Sequence, residues 1–307
     1  MSEQSGQNNT TTNRTRALEH RMGEALRSVL PPGLSRFVLF VMKLGWASLF
    51  GGLILIAILV SRAVWNDDWP IARYDVLLVF AVVVQALFLI LRLETLREAR
   101  VILLFHLTGT AMELFKTQAG SWAYPEASLF RLGEVPLFSG FMYASVGSFM
   151  ARAIRVFDMR FVPYPPYWAS VTLSVAIYLN FFTHHFLPDI RLVLFAAAAG
   201  LFLRTRVTFR VSENTYWMPL LLAAFLSSFF LWVAENVGTH GRIWLYAGQN
   251  AGEMVSMSKM GSWFLLLWVS FTTVTLVFRE ALIREDPARR EPPKPMRPAS
   301  TRSTPDR

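Results

Sequence analysis

The 307-residue chain is 53% hydrophobic and 14% aromatic but only 17% charged, too apolar and charge-poor for an ordinary soluble domain. It has no cysteine, which excludes disulfides, thiolate catalysis and cysteine-based zinc or iron–sulfur sites. The net charge of +9 comes from basic residues between and beyond hydrophobic runs, which implies a lipid bilayer as the partner and no nucleic acid.

Residues 1 to about 14 are mainly Ser, Asn, Gln and Thr and predict a disordered tail. No cleavable signal peptide is predicted, because the first hydrophobic run starts near Phe37 behind a polar leader. Within that leader Leu18, Met22, Leu26 and Val29 recur at helical spacing, predicting a short amphipathic helix on the membrane surface that ends at Pro31-Pro32-Gly33. The leader therefore covers residues 1–36.

The transmembrane domain is expected at 37–283, with apolar spans at 37–60, 74–91, 101–117, 135–155, 166–185, 190–203, 216–235 and 260–278. The sixth is short. Residues 284–307 are Pro- and Arg-rich and predict a disordered basic tail. About eight spans make an all-α, polytopic transmembrane bundle with both termini on one side. Lys and Arg number 22 in the leader, the alternate loops and the tail, against seven on the other side. The positive-inside rule then places both termini in the cytoplasm, with the chain in the inner membrane of a bacterial cell.

Glu113 is followed nine residues later by Trp122 and eleven later by Tyr124, and Glu235 stands the same distances before Trp244 and Tyr246. The shift of 122 residues also carries the first span onto the fifth and the second roughly onto the sixth. This predicts a parallel repeat of two four-helix units, about 37–155 and 166–278, with both Glu-x8-Trp-x-Tyr elements facing the outer side.

Further along the chain stand Gly120-Ser-Trp-Ala-Tyr-Pro-Glu126, Ser139-Gly-Phe-Met-Tyr-Ala-Ser-Val-Gly147, Asn180-Phe-Phe-Thr-His-His185, Ala234-Glu-Asn-Val-Gly238 and Lys259-Met-Gly-Ser-Trp263. With these motifs, residues 37–280 resemble the uncharacterised bacterial integral-membrane family known as domain of unknown function 817. The resemblance implies a multi-pass membrane protein and brings no activity with it. The acidic residue followed by Gly, Trp and Tyr is also similar to membrane carotenoid cyclases and hydratases, where intramembrane carboxylates act on a polyene.

Glu113 and Glu235 are the candidate catalytic residues. Each sits near the C-terminal end of its helix, where the dipole disfavours a carboxylate by roughly 0.3 to 1 kcal/mol. Such an acid is either protonated or tied to a cation, and a carboxyl poised that way suits intramembrane proton transfer. The alternative is that Glu113 pairs with Lys116 one turn on and Glu235 reaches the headgroups.

The candidate substrate-binding residues around them are Trp122, Tyr124, Glu126, Asn180, His184, His185, Asn236, His240, Trp244, Tyr246 and Lys259. Taken singly, the aromatics also fit an interfacial belt, and Lys259 is either a counter-cation or a snorkelling lysine. Adjacent histidines point about 100° apart on a helix, so at most one of His184 and His185 is expected to face a shared site. No spacing puts two metal ligands on one helical face, so no metal and no cofactor is expected.

His106 lies on the same stripe as Glu113, deeper in the bilayer, either lining a proton path or hydrogen-bonded to a neighbouring helix. Gly140, Ala144 and Ser148 form a small-residue row for helix packing, as do Ala196 to Gly200. Gly-x-Ser-x-Gly, Walker A, Gly-x-Gly-x-x-Gly and His-Glu-x-x-His patterns are absent, which argues against the usual serine hydrolysis and nucleotide-driven work. Three readings remain: an enzyme acting with paired carboxylates on a lipophilic, isoprenoid-like small molecule, a proton-coupled transporter or permease, and a non-catalytic membrane protein.

Overall fold

A computed structural model describes residues 21–22, 24–25, 28–66, 68–250 and 253–284. The polar tail before residue 21 and the basic tail beyond Arg284 lie outside the described residues, as do Leu18 and Leu26 of the expected amphipathic helix. Met22 and Val29 of that helix are both helical; Met22 packs on a core cluster with Leu39 and Phe157, while Val29 is exposed.

Nine α-helices run from residue 32 onward among the described residues. They are α1 (Pro32–Ala47), α2 (Leu49–Val64), α3 (Arg73–Ile90), α4 (Leu96–Gln118), α5 (Phe138–Val156), α6 (Tyr167–Thr183), α7 (Arg191–Phe202), α8 (Leu220–His240) and α9 (Met257–Val277). Length and apolar composition make α3, α8 and α9 able to cross a membrane. The run expected as one span at 37–60 is instead two helices, α1 and α2, meeting at 69°. The break falls at Ser48, whose hydroxyl donates to the Leu44 carbonyl one turn back, with the poor helix former Gly at 45, 51 and 52.

Seven short strands accompany the helices among the described residues, which are mostly rather than wholly helical. Strands β5 (Arg206–Val211) and β6 (Asn214–Pro219) form a hairpin that pairs with β4 (Arg160–Val162) in an antiparallel sheet of order β4-β5-β6. The turn places Ser212 at φ 53°. Two smaller antiparallel pairs join β2 (Arg131–Leu132) to β3 (Val135–Pro136) and β1 (Trp122–Ala123) to β7 (Leu245–Tyr246).

Helices α4 and α5 share the most extensive helix–helix contact, and three glycines face rings across it. A Cβ on Gly109 would lie 2.6 Å from Tyr143, one on Gly140 2.3 Å from His106, and one on Gly147 2.6 Å from Phe105. The same helix presents buried Ala144 and Ser148. The largest core cluster extends from Val101, Phe105 and Ala144 to Ile177, Phe202, Trp268 and Val274, where the Phe202 and Trp268 rings stack at 4.1 Å. Large apolar side chains point outward along α3 (Val79, Val83, Leu87, Ile90) and α8 (Phe225, Phe229, Phe230), an arrangement compatible with a lipid surrounding.

Candidate functional site

Glu113 and Glu235 stand in the second-to-last turns of α4 and α8, and both are buried. The Glu113 carboxylate accepts from Trp122 Nε1 at 2.7 Å, the Tyr124 hydroxyl at 2.8 Å and the Tyr143 hydroxyl. Glu235 accepts from the Tyr246 hydroxyl and from Trp263 Nε1 at 2.8 Å. Buried carboxylates are tolerated only where such donors replace water.

The chain folds back after each helix to supply these donors. Gly120, at φ 67°, and Gly248, at φ 76°, take the left-handed backbone conformation beside the two short strands. Strand β1 then pairs with β7, Trp122 opposite Tyr246 and Ala123 opposite Leu245, and the Trp122 and Tyr246 rings meet edge to face at 5.8 Å. The two acids' networks thus form one continuous cluster at one end of the bundle. Burial, and then the charge of the neighbouring acid, push the phenols of Tyr124 and Tyr246 well above their ordinary range, so both keep their protons and donate.

Cations border the cluster. Lys259 lies 3.9 Å from the centre of the Tyr246 ring and feels the charge of Glu235. Lys116 does not pair with Glu113: its ammonium donates to His185 Nε2 at 2.9 Å and sits 4.0 Å from the centre of the Phe181 ring. An ammonium has no acceptor, so His185 is the acceptor there. Partial burial, and then the charges of Lys116 and His184, hold His185 below its ordinary value.

Trp244 stays beside Tyr246, and most of the other expected site residues lie elsewhere. Glu126 is ion-paired with Arg73 at 2.8 Å, and Arg73 also donates to the Gly241 and Arg242 carbonyls. Asn180 bridges Asp189 and the Ile190 N–H, shaping the turn after α6, and His184 Nδ1 lies against the Asn180 carbonyl. Asn236 receives the Val255 N–H, while His240 is exposed. Trp244 lies over Gly238, where a Cβ would come within 2.2 Å of its ring, and Trp263 takes the place at Glu235 that Trp122 holds at Glu113. Among the described residues no three His, Asp or Glu converge as a metal site would require.

Sequence reasoning missed Tyr143 and Trp263 as partners of the acids, although both stand inside motifs that carry the family resemblance. It also missed a second buried polar cluster at the other end of α4. There Arg152 pairs with Glu94 at 2.6 Å with both side chains fully buried, and Arg155 pairs with Glu98 at 2.8 Å. Gln85 and Ser148 also donate to Glu94, and Thr95 and Glu98 form a capping box that starts α4. The signal was two arginines three residues apart in an otherwise uncharged helix, with two glutamates four apart around the start of another.

Residues 36–271 match the family described as "Protein of unknown function (DUF817)". The chain is also similar to the uncharacterized protein YoaT of Bacillus subtilis (strain 168), 42% identical over 239 residues that cover 76% of this chain and 90% of that one. No solved structure matches. The chain belongs to the DUF817 family.

Proposed function

We propose that the chain is an inner-membrane enzyme of two similar four-helix units, in which Glu113 and Glu235 act as acid and base on a lipophilic, isoprenoid-like substrate. The observation that carries the proposal is the β1–β7 pair, which joins the two acid networks into one buried site. Two carboxyls, one giving and one taking a proton, are the minimum for isomerising or cyclising a carbon skeleton without a cofactor. In that scheme one carboxyl protonates an alkene carbon. The faces of Trp122 and Tyr246 stabilise the resulting cation, and the second carboxyl removes a proton from a neighbouring carbon.

The repeat is supported at three levels. A shift of 122 residues carries α2, α4 and α5 onto α6, α8 and α9 within a few residues, and carries the start of α3 near the start of α7, which ends sooner. The packed neighbours recur: α4 on α5 as α8 on α9, α2 on α5 as α6 on α9, and α2 on α3 as α6 on α7. The β1–β7 register is symmetric under the same shift, since Ala123 faces its own equivalent Leu245, and Trp122 faces the equivalent of Tyr124. Antiparallel pairing of equivalent strands is what a two-fold axis between them generates, and an axis along the membrane normal suits parallel repeats. Eight spans with cytoplasmic termini, units at about 37–155 and 166–278, and the acid site on the outer side complete the arrangement.

Deleting the gene and comparing extracted lipids and pigments by mass spectrometry tests the reaction. The proposal expects one lipophilic species to accumulate and another to vanish, with rescue by the wild type but not by Glu113→Gln or Glu235→Gln. An unchanged profile across growth conditions would count against it.

One observation favours a proton-coupled carrier instead. Below Glu113 on α4, Thr110 Oγ1 and His106 Nδ1 are buried with no hydrogen-bond partner among the described residues, so polar groups continue from the acid toward mid-bundle.

A further inference from the structure

Helix α1 has no counterpart in the second half of the chain. The 122-residue shift that carries α2 onto α6 places Pro32–Ala47 on residues 154–169, where the chain instead forms the end of α5, strand β4 and the start of α6. The helix is thus an addition to the bundle, and α2 to α9 supply the eight proposed spans without it. It meets α2 at 69°, so a helix of 16 residues, about 24 Å long, descends only about 9 Å along the α2 axis.

Specific contacts hold α1 across the end of α5. The Trp46 carbonyl accepts from Arg152 Nη1 at 3.2 Å, and the Lys43 ammonium donates to the Arg210 carbonyl of the β5–β6 hairpin at 2.8 Å. The Phe40 ring meets those of Phe157 and Phe209 at 5.6 and 6.0 Å. The same shift of 122 residues carries Glu94, Arg152 and Arg155 onto Tyr216, Val274 and Val277, so the second half fills the equivalent corner without these charges. The buried Glu94–Arg152 pair therefore stands only where α1 has to be held, and such pairs fix position more than they stabilise.

The polar side chains of α1 face the protein and its apolar ones face out. Ser35 and Lys43 are buried, whereas Leu34, Phe37, Val41 and Met42 are 46–61% exposed and form one outward face, continuous in character with the outward rows of α3 and α8. The hairpin against which α1 rests carries interfacial side chains, an exposed Trp217 with the Arg206 guanidinium 4.5 Å from the centre of its ring. We infer that α1 is an in-plane anchor lying along the cytoplasmic leaflet, with Leu34, Phe37, Val41 and Met42 among the acyl chains and Arg36 and Arg206 at the anionic headgroups. The choice of leaflet rests on the eight-span reading given above; the in-plane geometry stands on the bend and the apolar face.

The test uses the full chain in liposomes of phosphatidylcholine and phosphatidylglycerol, with one nitroxide-labelled cysteine per variant. Leu34→Cys, Phe37→Cys, Val41→Cys and Gly45→Cys sample the outward face of α1, and Ile56→Cys, Leu59→Cys and Ala63→Cys that of α2, all at exposed positions. Collision with oxygen against a nickel chelate gives each label's depth in the bilayer. The anchor expects all four α1 labels in lipid, with depths spread over about 6 Å, against about 16 Å for the same residues in an upright helix. A spread near 16 Å would make α1 the lower half of a straight span and overturn the inference. Labels open to the nickel chelate but not to oxygen would place the face in water, and spin coupling between copies would give it to a second chain; either result also overturns it. On α2 the three labels should run about 10 Å in depth. A common depth there would overturn the eight-span reading, while the α1 depths decide the anchor by themselves.

Discussion

Removing the Lys116 ammonium should be felt first by His185. Part of the depression of His185 comes from that charge, so Lys116→Gln is expected to move its titration upward, toward the ordinary 6.5. Histidine NMR signals followed against pH would show the move, and an unmoved midpoint would mean that the two side chains are not in contact. The Glu94–Arg152 pair makes a different prediction. Arg152→Ala leaves a buried carboxylate without its partner and should cost about 3–5 kcal/mol, with part of the loss recovered by Glu94→Gln in the same chain. Unfolding in detergent measures both. Glu113 and Glu235 were legible because their spacing to Trp and Tyr recurs in one dimension. Tyr143 and Trp263 were not, because their roles arise only when neighbouring helices pack against the acids.

Among the elements, the α4–α5 contact depends on glycines opposite rings. Gly140→Ala should push against His106 Nδ1 and cost about 1–3 kcal/mol of stability, and His106→Ala in the same chain should relieve the clash. Additive losses in thermal unfolding would show that the two positions do not meet. The small row Gly140, Ala144 and Ser148 was readable as a packing surface, but its partner was not, since nothing in the row names the facing ring. The β5–β6 hairpin escaped the sequence reading for another reason. Val207, Phe209 and Val211 alternate as a strand does, but the alternation is short and interleaved with Arg206 and Arg210, which read as a basic loop. The bend between α1 and α2 was hidden because an apolar run has the same hydropathy straight or broken.

At the scale of the whole molecule, the repeat and the charge alternation make separate claims. The proposed cytoplasmic termini would put residues 158 and 208 on the cytoplasmic side, so single cysteines placed there should be labelled only once the inner face is opened. The background is silent, since the chain has no cysteine of its own. The mostly helical character was legible from the apolar runs; the meeting of the two acid networks was not, because pairing between strands distant in sequence has no local signature. That meeting is the claim on which the single acid site depends. Cysteines replacing Ala123 and Leu245 occupy facing positions of the β1–β7 pair, within the Cα separation a disulfide spans. The most direct measurement is oxidative cross-linking of this double variant in native membranes, read after cleavage of the chain between the two positions. Fragments held together until reduction are the predicted result. Fragments that separate without reductant, although both thiols are accessible, would contradict a shared site for Glu113 and Glu235.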